Sequence, residues 1–482
     1  MERKGVSVTI GLIISVMRIF PTRWHCLINY NSAMKTNRKK LLLIIGAVVV
    51  LLAVVISLPP VWSRVVYHTR ATYTSIKYWL KPPSEAVFVP STEKTPVDPQ
   101  DSDPNTASAS NGQTATDPAS TPEPALEATA APVISPTPLP ESVLLTGFTC
   151  EAQLWNNCGP ATLSMYLSYY NWGKSQVQAA GVLKPNERDM NVMPYEIVDY
   201  VNNNTNVRAL WRYGGNPQTI KALISAGFPV MIEKSFEPYD IRDEGWLGHY
   251  NLVVGYDDAK QIFTVHDSYL LNHAPWGGKI DPDQYDSFIG FDYYYNKLDL
   301  DWRSFNYLFI VIYPPEKEEI VLNALGPLET VEGACRSAHE YAIKETNTLT
   351  ETRDKFFAWF NAGTSLVCLQ DYNAAADAYD TAFSIYPEII QEDRPYRIFW
   401  YEEGPYSAYY NSGRYQDVIN LADQTLKNMG EPLLEESYYW RAMSYNALGD
   451  VDKAVADLRT SLKCHPGYAP SVKMLEQLGV KP

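Results

Sequence analysis

The chain has 482 residues, a net charge of −15 and six scattered cysteines. That length exceeds one domain, so two folded units with non-globular segments are expected. The negative balance, with no basic stripe in the folded part, argues against a nucleic-acid partner. Cysteines without a CxxC pair suggest neither a zinc site nor a disulfide framework, and the histidines show no metal-ligand spacing.

Residues 1–40 read as a cytoplasmic amino terminus. Leu41 to Leu58 is an uninterrupted apolar run without charge, just long enough to span a bilayer. Lys35, Arg38, Lys39 and Lys40 precede it, which keeps that end inside; Arg64, Arg70, Lys77 and Lys81 beyond it make the bias moderate. No small-residue cleavage pattern follows, so residues 41–58 are expected to be an uncleaved, single-pass anchor in the cell membrane, with everything after it extracytoplasmic. Met34 opens an export signal complete in itself and is an alternative start, under which residues 1–33 are not translated. Residues 59–143 read as a juxtamembrane segment and a stalk. Arg64 to Leu80 has the apolar spacing of a short helix at the membrane surface. From Lys81 to Glu141, Pro, Ser, Thr, Ala and Asp dominate, and so little apolar surface predicts a disordered tether.

The run from Gln153 through Asn157, Cys158, Gly159 and Pro160 places a cysteine at the mouth of a helix. Pro160 suits a first helical turn, and Leu163, Tyr166, Leu167 and Tyr170 recur at the spacing of an amphipathic helix. A helix amino terminus favours thiolate over thiol. On this segment alone an ordinary buried cysteine is an equal reading. Further on, Gly248 to Tyr256 reads as a strand beginning at His249, and Gln261 to Asp267 as the next, with Asp257, Asp258 and Ala259 as the turn. A hairpin centred on Asp258 sets Val253 opposite Phe263, Val254 opposite Ile262 and His249 opposite Asp267. That pairing requires an odd-length loop, because a one-residue slip sends the two side chains to opposite faces. Asp267 would then orient His249, and His249 would take the proton of Cys158.

These residues carry a resemblance. The stretch from Gly147 to Pro314 resembles a papain-like cysteine peptidase domain, closest to the bacteriocin-processing, double-glycine peptidase family (cysteine peptidase family thirty-nine) and its stand-alone bacterial relatives. Gln153, Asn157-Cys158-Gly159-Pro160, Gly248-His249-Tyr250, Gly255-Tyr256-Asp257 and His266-Asp267 carry it, together with the helix, Gly227-Phe-Pro-Val230 turn and strand between Ile220 and Ile232. By that resemblance Cys158 is the nucleophile, His249 the general base and acid, Asp267 the orienting residue and Gln153 the side-chain donor of the oxyanion hole. Gln153 stands one position nearer the cysteine than in better-known members, and Ser268 replaces the usual proline after the aspartate.

Beyond Pro314 the texture changes to helix pairs. Trp359, Ala362, Gly363, Ala375, Tyr379, Ala382 and Pro387 fall at the spacing of a tetratricopeptide repeat, and Tyr438, Ala442, Tyr445, Gly449, Ala454, Leu458 and Pro466 repeat it. Tyr415, Val418 and Ala422 mark a degenerate copy between them, and Glu319 to Thr346 a further helical pair. Such repeats present a concave surface to a protein partner, or merely brace the enzyme. The expected fold is thus an α+β papain-like cysteine peptidase domain over residues 144–315, followed by an all-α tetratricopeptide-repeat domain over 316–482. The expected activity is hydrolysis of a peptide or protein substrate by Cys158, His249 and Asp267, with no metal or organic cofactor. The alternative is a catalytically silent or transferase-type domain that, with its repeats, binds peptide or cell-envelope partners.

Overall fold

The computed structural model describes residues 46–47, 69, 72–73, 76, 80, 88–91, 138–237, 245–271, 280–429 and 431–482. Met1–Thr69 and Arg70–Pro482 are separate units. In the first, Gly46, Ala47 and Thr69 are helical, while the remainder of Leu41–Leu58 and the cluster Lys35–Lys40 lie outside the described residues. Among the described residues no helix is long and apolar enough to cross a membrane. In the second unit Thr72, Tyr73, Ile76 and Leu80 are helical. Most of the stretch read as a stalk is also outside the described residues, but residues 88–91 are not. Phe88 is buried against Phe383 and Tyr409, and the Ser91 N–H donates to Asp417 Oδ1 at 2.8 Å. One aromatic side chain suffices to dock a short segment of an otherwise polar tract.

From Ser142 onward the chain alternates strands and helices: β1 (Ser142–Leu144), α1 (Cys158–Ser168), α2 (Gln176–Leu183), α3 (Pro194–Asn204), β2 (Arg208–Arg212), α4 (Pro217–Ser225), β3 (Val230–Phe236), β4 (Leu247–Asp257), β5 (Ile262–His266), β6 (Phe291–Tyr294), α5 (Tyr295–Arg303) and β7 (Phe309–Tyr313). Among the described residues the seven strands make one antiparallel sheet in the order β2-β7-β3-β4-β5-β6, with β1 paired to the far end of β4. The expected helix, turn and strand around Gly227 are present, and Gly227 takes φ +90° between α4 and β3.

Helix α1 departs from the expectation of one buried face. Every residue from Gly159 to Leu167 is buried, and Tyr170 falls beyond its end. A helix apolar all round belongs inside a fold, and its buried Thr162 and Ser164 are satisfied there. Thr162 Oγ1 donates to the Tyr250 carbonyl at 3.1 Å, and Ser164 Oγ to Glu151 and the Ala161 carbonyl.

The β4–β5 hairpin also departs from the expected register. Asp257 pairs with Ile262, so the loop has four residues, with Gln261 at φ +57°. That register alone would put Leu252, on the wrong face, opposite Asp267. A bulge between Val253 and Gly255 inserts one residue and restores the parity: Val253 pairs with Val265 and Leu252 with His266. Continued by one residue, the register sets Asp267 beside Asn251, on the face that also carries His249. The histidine and aspartate are therefore diagonal neighbours rather than direct partners, still within side-chain reach. Gly255, next to the unpaired Val254, must be glycine, since a Cβ there would lie 2.7 Å from the Val143 carbonyl oxygen of β1.

After β7 the chain is helical: α6 (Glu318–Leu325), α7 (Val331–Thr348), α8 (Thr352–Cys368), α9 (Tyr372–Ile385), α10 (Gly404–Asn411), α11 (Tyr415–Asn428), α12 (Glu435–Ala447), α13 (Val451–Cys464) and α14 (Ala469–Gln477). Gly363 of α8 lies so close to the Tyr379 ring of α9 that a Cβ would stand 2.8 Å from it. Cys335 and Cys368 form a disulfide between α7 and α8, with Cα atoms 6.1 Å apart, a bridge that the scattered cysteines did not suggest. Their sequence spacing could not announce it, because the pairing depends on how α7 packs on α8.

The segment between α9 and α10, with short 3-10 turns at Gln391–Asp393 and Ile398–Trp400, reaches back to the sheet. Arg397 Nη1 donates to the Trp246 carbonyl at 3.2 Å, and Tyr401 packs over Gly248, where a Cβ would meet its ring at 2.8 Å. Trp246 stacks on Phe305 and Phe357 at 5.6 and 5.9 Å between centroids, so one apolar core runs continuously from the sheet into the helices.

Gly255→Ala is expected to lower unfolding stability by about 1–3 kcal/mol through that overpacking. Gly173→Ala, where nothing lies within 4 Å, is expected to leave it unchanged. Denaturant titration of the two proteins checks this.

Candidate active site

Cys158 is the first residue of α1, and its neighbourhood keeps the helix mouth open. The N-cap residue Asn157 makes no side-chain cap hydrogen bond, because its amide donates to Gln176 Oε1 at 2.9 Å instead. The first N–H groups of the helix thus remain directed at the cysteine end. Gln176, almost fully buried at the start of α2, holds the preceding loop with its whole amide. Oε1 accepts from the Leu154 N–H at 2.8 Å, and Nε2 donates to the Ala152 carbonyl and to Glu151, each at 2.8 Å. Lys184 Nζ donates to the Asn156 carbonyl at 2.6 Å.

Strand β4 carries His249 and the turn after β5 carries Asp267, both almost fully buried. Across the diagonal that the bulge creates, His249 Nε2 lies 2.9 Å from Asp267 Oδ1. The same oxygen accepts the N–H groups of Tyr269 at 2.9 Å and Leu270 at 3.1 Å, so the carboxylate is fixed before it meets the imidazole. With Nε2 committed, Nδ1 is the ring nitrogen left for Cys158, whose thiol the imidazole lowers. The Phe236 ring, 4.9 Å away between centroids, packs against the imidazole.

The electrostatics follow from this chain of contacts. Burial disfavours each charge. For Asp267 it is outweighed by the His249 cation, the His249 hydrogen bond and Lys234, which hold the carboxyl well below its usual range. For His249 burial is outweighed by the charge and hydrogen bond of Asp267 and then by Cys158, and the imidazole is raised to about 9. For Cys158 burial is outweighed by the hydrogen bond and charge of His249, with help from the Tyr250 backbone and Lys184, and the thiol falls below its ordinary value. The arrangement stabilises thiolate and imidazolium together.

Gln153 sits on the loop before the cysteine and is tied to the residue after Asp267. Its N–H donates to the Ser268 carbonyl at 3.0 Å, and the Ser268 hydroxyl donates to its Oε1 at 2.9 Å. That second bond, as placed, leaves Nε2 as the end of the amide with a donor to offer. Ser268, read from sequence only as a substitute for proline, is a buried anchor of Gln153. Gln176, Lys184 and Lys234 were missed altogether, since each is a distant polar residue that only packing brings close.

A second Cys–His pair competes for attention and is of a different kind. Cys150 Sγ lies 3.4 Å from His266 Nδ1, both buried, while His266 Nε2 meets the Ile289 carbonyl at 3.2 Å. That carbonyl demands the proton on Nε2 and makes Nδ1 an acceptor for the thiol. Burial lowers His266 to about 4, so it supplies no charge to stabilise a thiolate. The four expected residues, Cys158, His249, Asp267 and Gln153, are brought together; Cys150 and His266 form a separate neutral contact.

The Peptidase_C39 like family matches residues 145–285. Residues 145–285 are a C39-like peptidase domain. The match contains Gln153, Cys158, His249 and Asp267, and β6 and β7 complete the sheet beyond it. Among solved structures, one described as a C39-like peptidase from Bacillus anthracis is similar at 16% identity, over 36% of this chain and 96% of that one, with a TM-score of 0.25. No curated protein matches the chain.

Iodoacetamide at mildly acidic pH is expected to label Cys158 well ahead of Cys150, which is buried, and Cys464, whose thiol burial pushes up to about 12. Cys335 and Cys368, being bonded, should label only after reduction. Peptide mass mapping over time reads the order directly.

Proposed function

We propose that this chain is a membrane-tethered, extracytoplasmic cysteine peptidase working through Cys158, His249 and Asp267. The observation that carries this is the 2.9 Å contact of His249 Nε2 with Asp267, on an imidazole that lowers the Cys158 thiol at a helix mouth. The Cys158 thiolate attacks the carbonyl carbon of the substrate peptide bond, and the developing oxyanion takes hydrogen bonds from the Cys158 N–H and Gln153 Nε2. One such preorganised donor is worth about 3 kcal/mol in the transition state. His249 gives its Nδ1 proton to the leaving amine as the C–N bond breaks, leaving a thioester on Cys158. Neutral His249 then draws a proton from water, whose oxygen attacks the thioester, and the C–S bond breaks to release the acid and restore the thiolate. Asp267 keeps the ring aligned and remains ionised throughout.

The helical region, read as tetratricopeptide repeats, takes part in substrate or partner binding. A cavity of about 340 Å³ lies where the helices meet the sheet, lined among others by Tyr195, Trp211, Glu233, Tyr401, Glu402 and Trp440. Its aromatic and acidic lining is contributed by both regions, which favours a shared binding role over a simple brace. The extracytoplasmic placement is supported by the apolar run Leu41–Leu58 behind its basic cluster and by the Cys335–Cys368 disulfide, a bond of oxidising compartments.

Hydrolysis of a peptide library is expected to fall by about 10³-fold or more in His249→Ala. Asp267→Asn should be milder than Asp267→Ala, because the amide still holds the ring. Ser268→Ala should lower kcat several-fold with KM unchanged, since it frees Gln153 without touching the thiolate. The wild-type profile should lose activity as pH rises through about 9, where His249 gives up its proton, and on the acid side as Cys158 is protonated. A His249→Ala protein with undiminished turnover overturns the reading; transfer of the acyl group to an added amine in preference to water makes the enzyme a transferase.

Protease added to intact cells should release a soluble fragment that begins between Lys81 and Glu141 and retains both folded regions. Release only after the membrane is broken reverses the orientation.

A further inference from the structure

Away from Cys158, three loops and helix ends from distant parts of the sequence converge on a buried acidic cluster. Asp189 comes from the turn between α2 and α3, Glu435 from the first turn of α12, and His465 from the residue that ends α13. Asp189 and Glu435 are each only 2% exposed. His465 Nδ1 lies 2.9 Å from Glu435 Oε1, 3.6 Å from Asp189 Oδ2 and 3.8 Å from Glu196 Oε1. One ligand-type atom from each of Asp189, Glu435 and His465 falls within 4.8 Å of the others.

Two further facts separate this cluster from an ordinary surface ion network. Asp189 Oδ2 and Glu435 Oε2 are wholly buried and have no hydrogen-bond partner, whereas buried carboxylate oxygens are normally satisfied. The spacing of Asp189 Oδ2, Glu435 Oε1 and Glu196 Oε1 around His465 Nδ1 is also that of a coordination sphere. Donor atoms around a tetrahedral zinc at ~2.0–2.1 Å lie roughly 3.3 Å apart, close to the 2.9–3.8 Å separations around the imidazole. Glu196 stands at the edge of the cluster, its Oε2 fixed by the Met193 N–H at 2.8 Å and its Oε1 turned to His465. The Arg188–Glu431 ion pair beside it, with side chains 55% and 40% exposed, adds little.

The geometry points to a zinc-type divalent cation held by Asp189, Glu435 and His465, with Glu196 as a fourth ligand or the support of a bound water. The imidazole among the ligands favours zinc over calcium or magnesium, which take oxygen sets. Such an ion would join the C39-like domain to the last helix pair, because Asp189 belongs to the first and Glu435 and His465 to the second. It would thereby hold α12 and α13 on the loop whose Lys184 also touches the segment before Cys158. The site does not depend on the peptidase reading. A proton shared among the carboxyls is the rival occupant.

The full chain, purified without added metal and passed through gel filtration, is expected to retain about one zinc per chain by elemental mass spectrometry. After chelation it should rebind Zn²⁺ in calorimetry with a rise in melting temperature. His465→Asn and Asp189→Asn should each weaken binding at least tenfold, while Cys158→Ser, Cys464→Ser and Arg188→Ala retain it. X-ray absorption at the zinc edge of the wild-type protein, which needs no variant to fold, should show nitrogen and oxygen neighbours and no sulfur. Absence of zinc together with no Zn²⁺ binding at micromolar concentration overturns the site and leaves the shared proton. A sulfur neighbour, or undiminished binding by both His465→Asn and Asp189→Asn, overturns it equally.

Discussion

The hydrogen bond between His249 Nε2 and Asp267 Oδ1 is the contact on which the chemistry of this fold depends. Both groups are almost fully buried, so neither charge is tolerable alone. Together they raise the imidazole to about 9, and that cation in turn lowers the Cys158 thiol. Removing one partner of such a buried pair costs about 3–5 kcal/mol, because the other is left uncompensated. The carboxylate escapes this dependence in part, since the Tyr269 and Leu270 N–H groups hold it in place. The pair is thus built from the aspartate outward to the thiol.

Bringing these residues together required a backbone irregularity. The four-residue loop between β4 and β5 sets a register whose parity would separate the two side chains, and the bulge at Val253–Gly255 reverses it. Beside the bulge β1 crosses close over Gly255, where no side chain fits. On the other flank, the loop before Cys158 lacks regular structure and is held instead by the Gln176 amide, by Lys184 and by Ser268. Each is a buried polar side chain hydrogen-bonded to this loop, which holds it beside the strand that carries His249.

The helical region is joined to this apparatus rather than appended to it. Trp246, Phe305, Phe357 and Tyr401 form one aromatic cluster across the seam, and Tyr401 covers the glycine that precedes His249. Displacement of the segment between α9 and α10 would therefore be felt at β4. The buried Asp189, Glu435 and His465 cluster makes a second, polar seam farther along, so the helices grip the sheet domain at two chemically different places.

Local pattern determined a good deal. Cys158 before Gly159 and Pro160 announces a helix mouth, because proline and a missing side chain suit only a few backbone positions. His249 and Asp267 announce a strand pair, because period-two apolar residues flank them. The helix pairs after Pro314 were legible from small residues recurring where helices must touch, as Gly363 does against Tyr379. Tertiary structure alone decided the rest. The bulge leaves no mark in the alternation of side chains, so the register drawn from the sequence differs from the one found, although the His249 and Asp267 side chains still meet. The disulfide, the hold of Gln176 and Ser268 on the loop before Cys158, and the meeting of Asp189 with Glu435 and His465 all join residues far apart in sequence. Residue order encodes periodicity and turn chemistry, which act over a few positions. Which distant polar groups are buried together is fixed only when the apolar faces have packed.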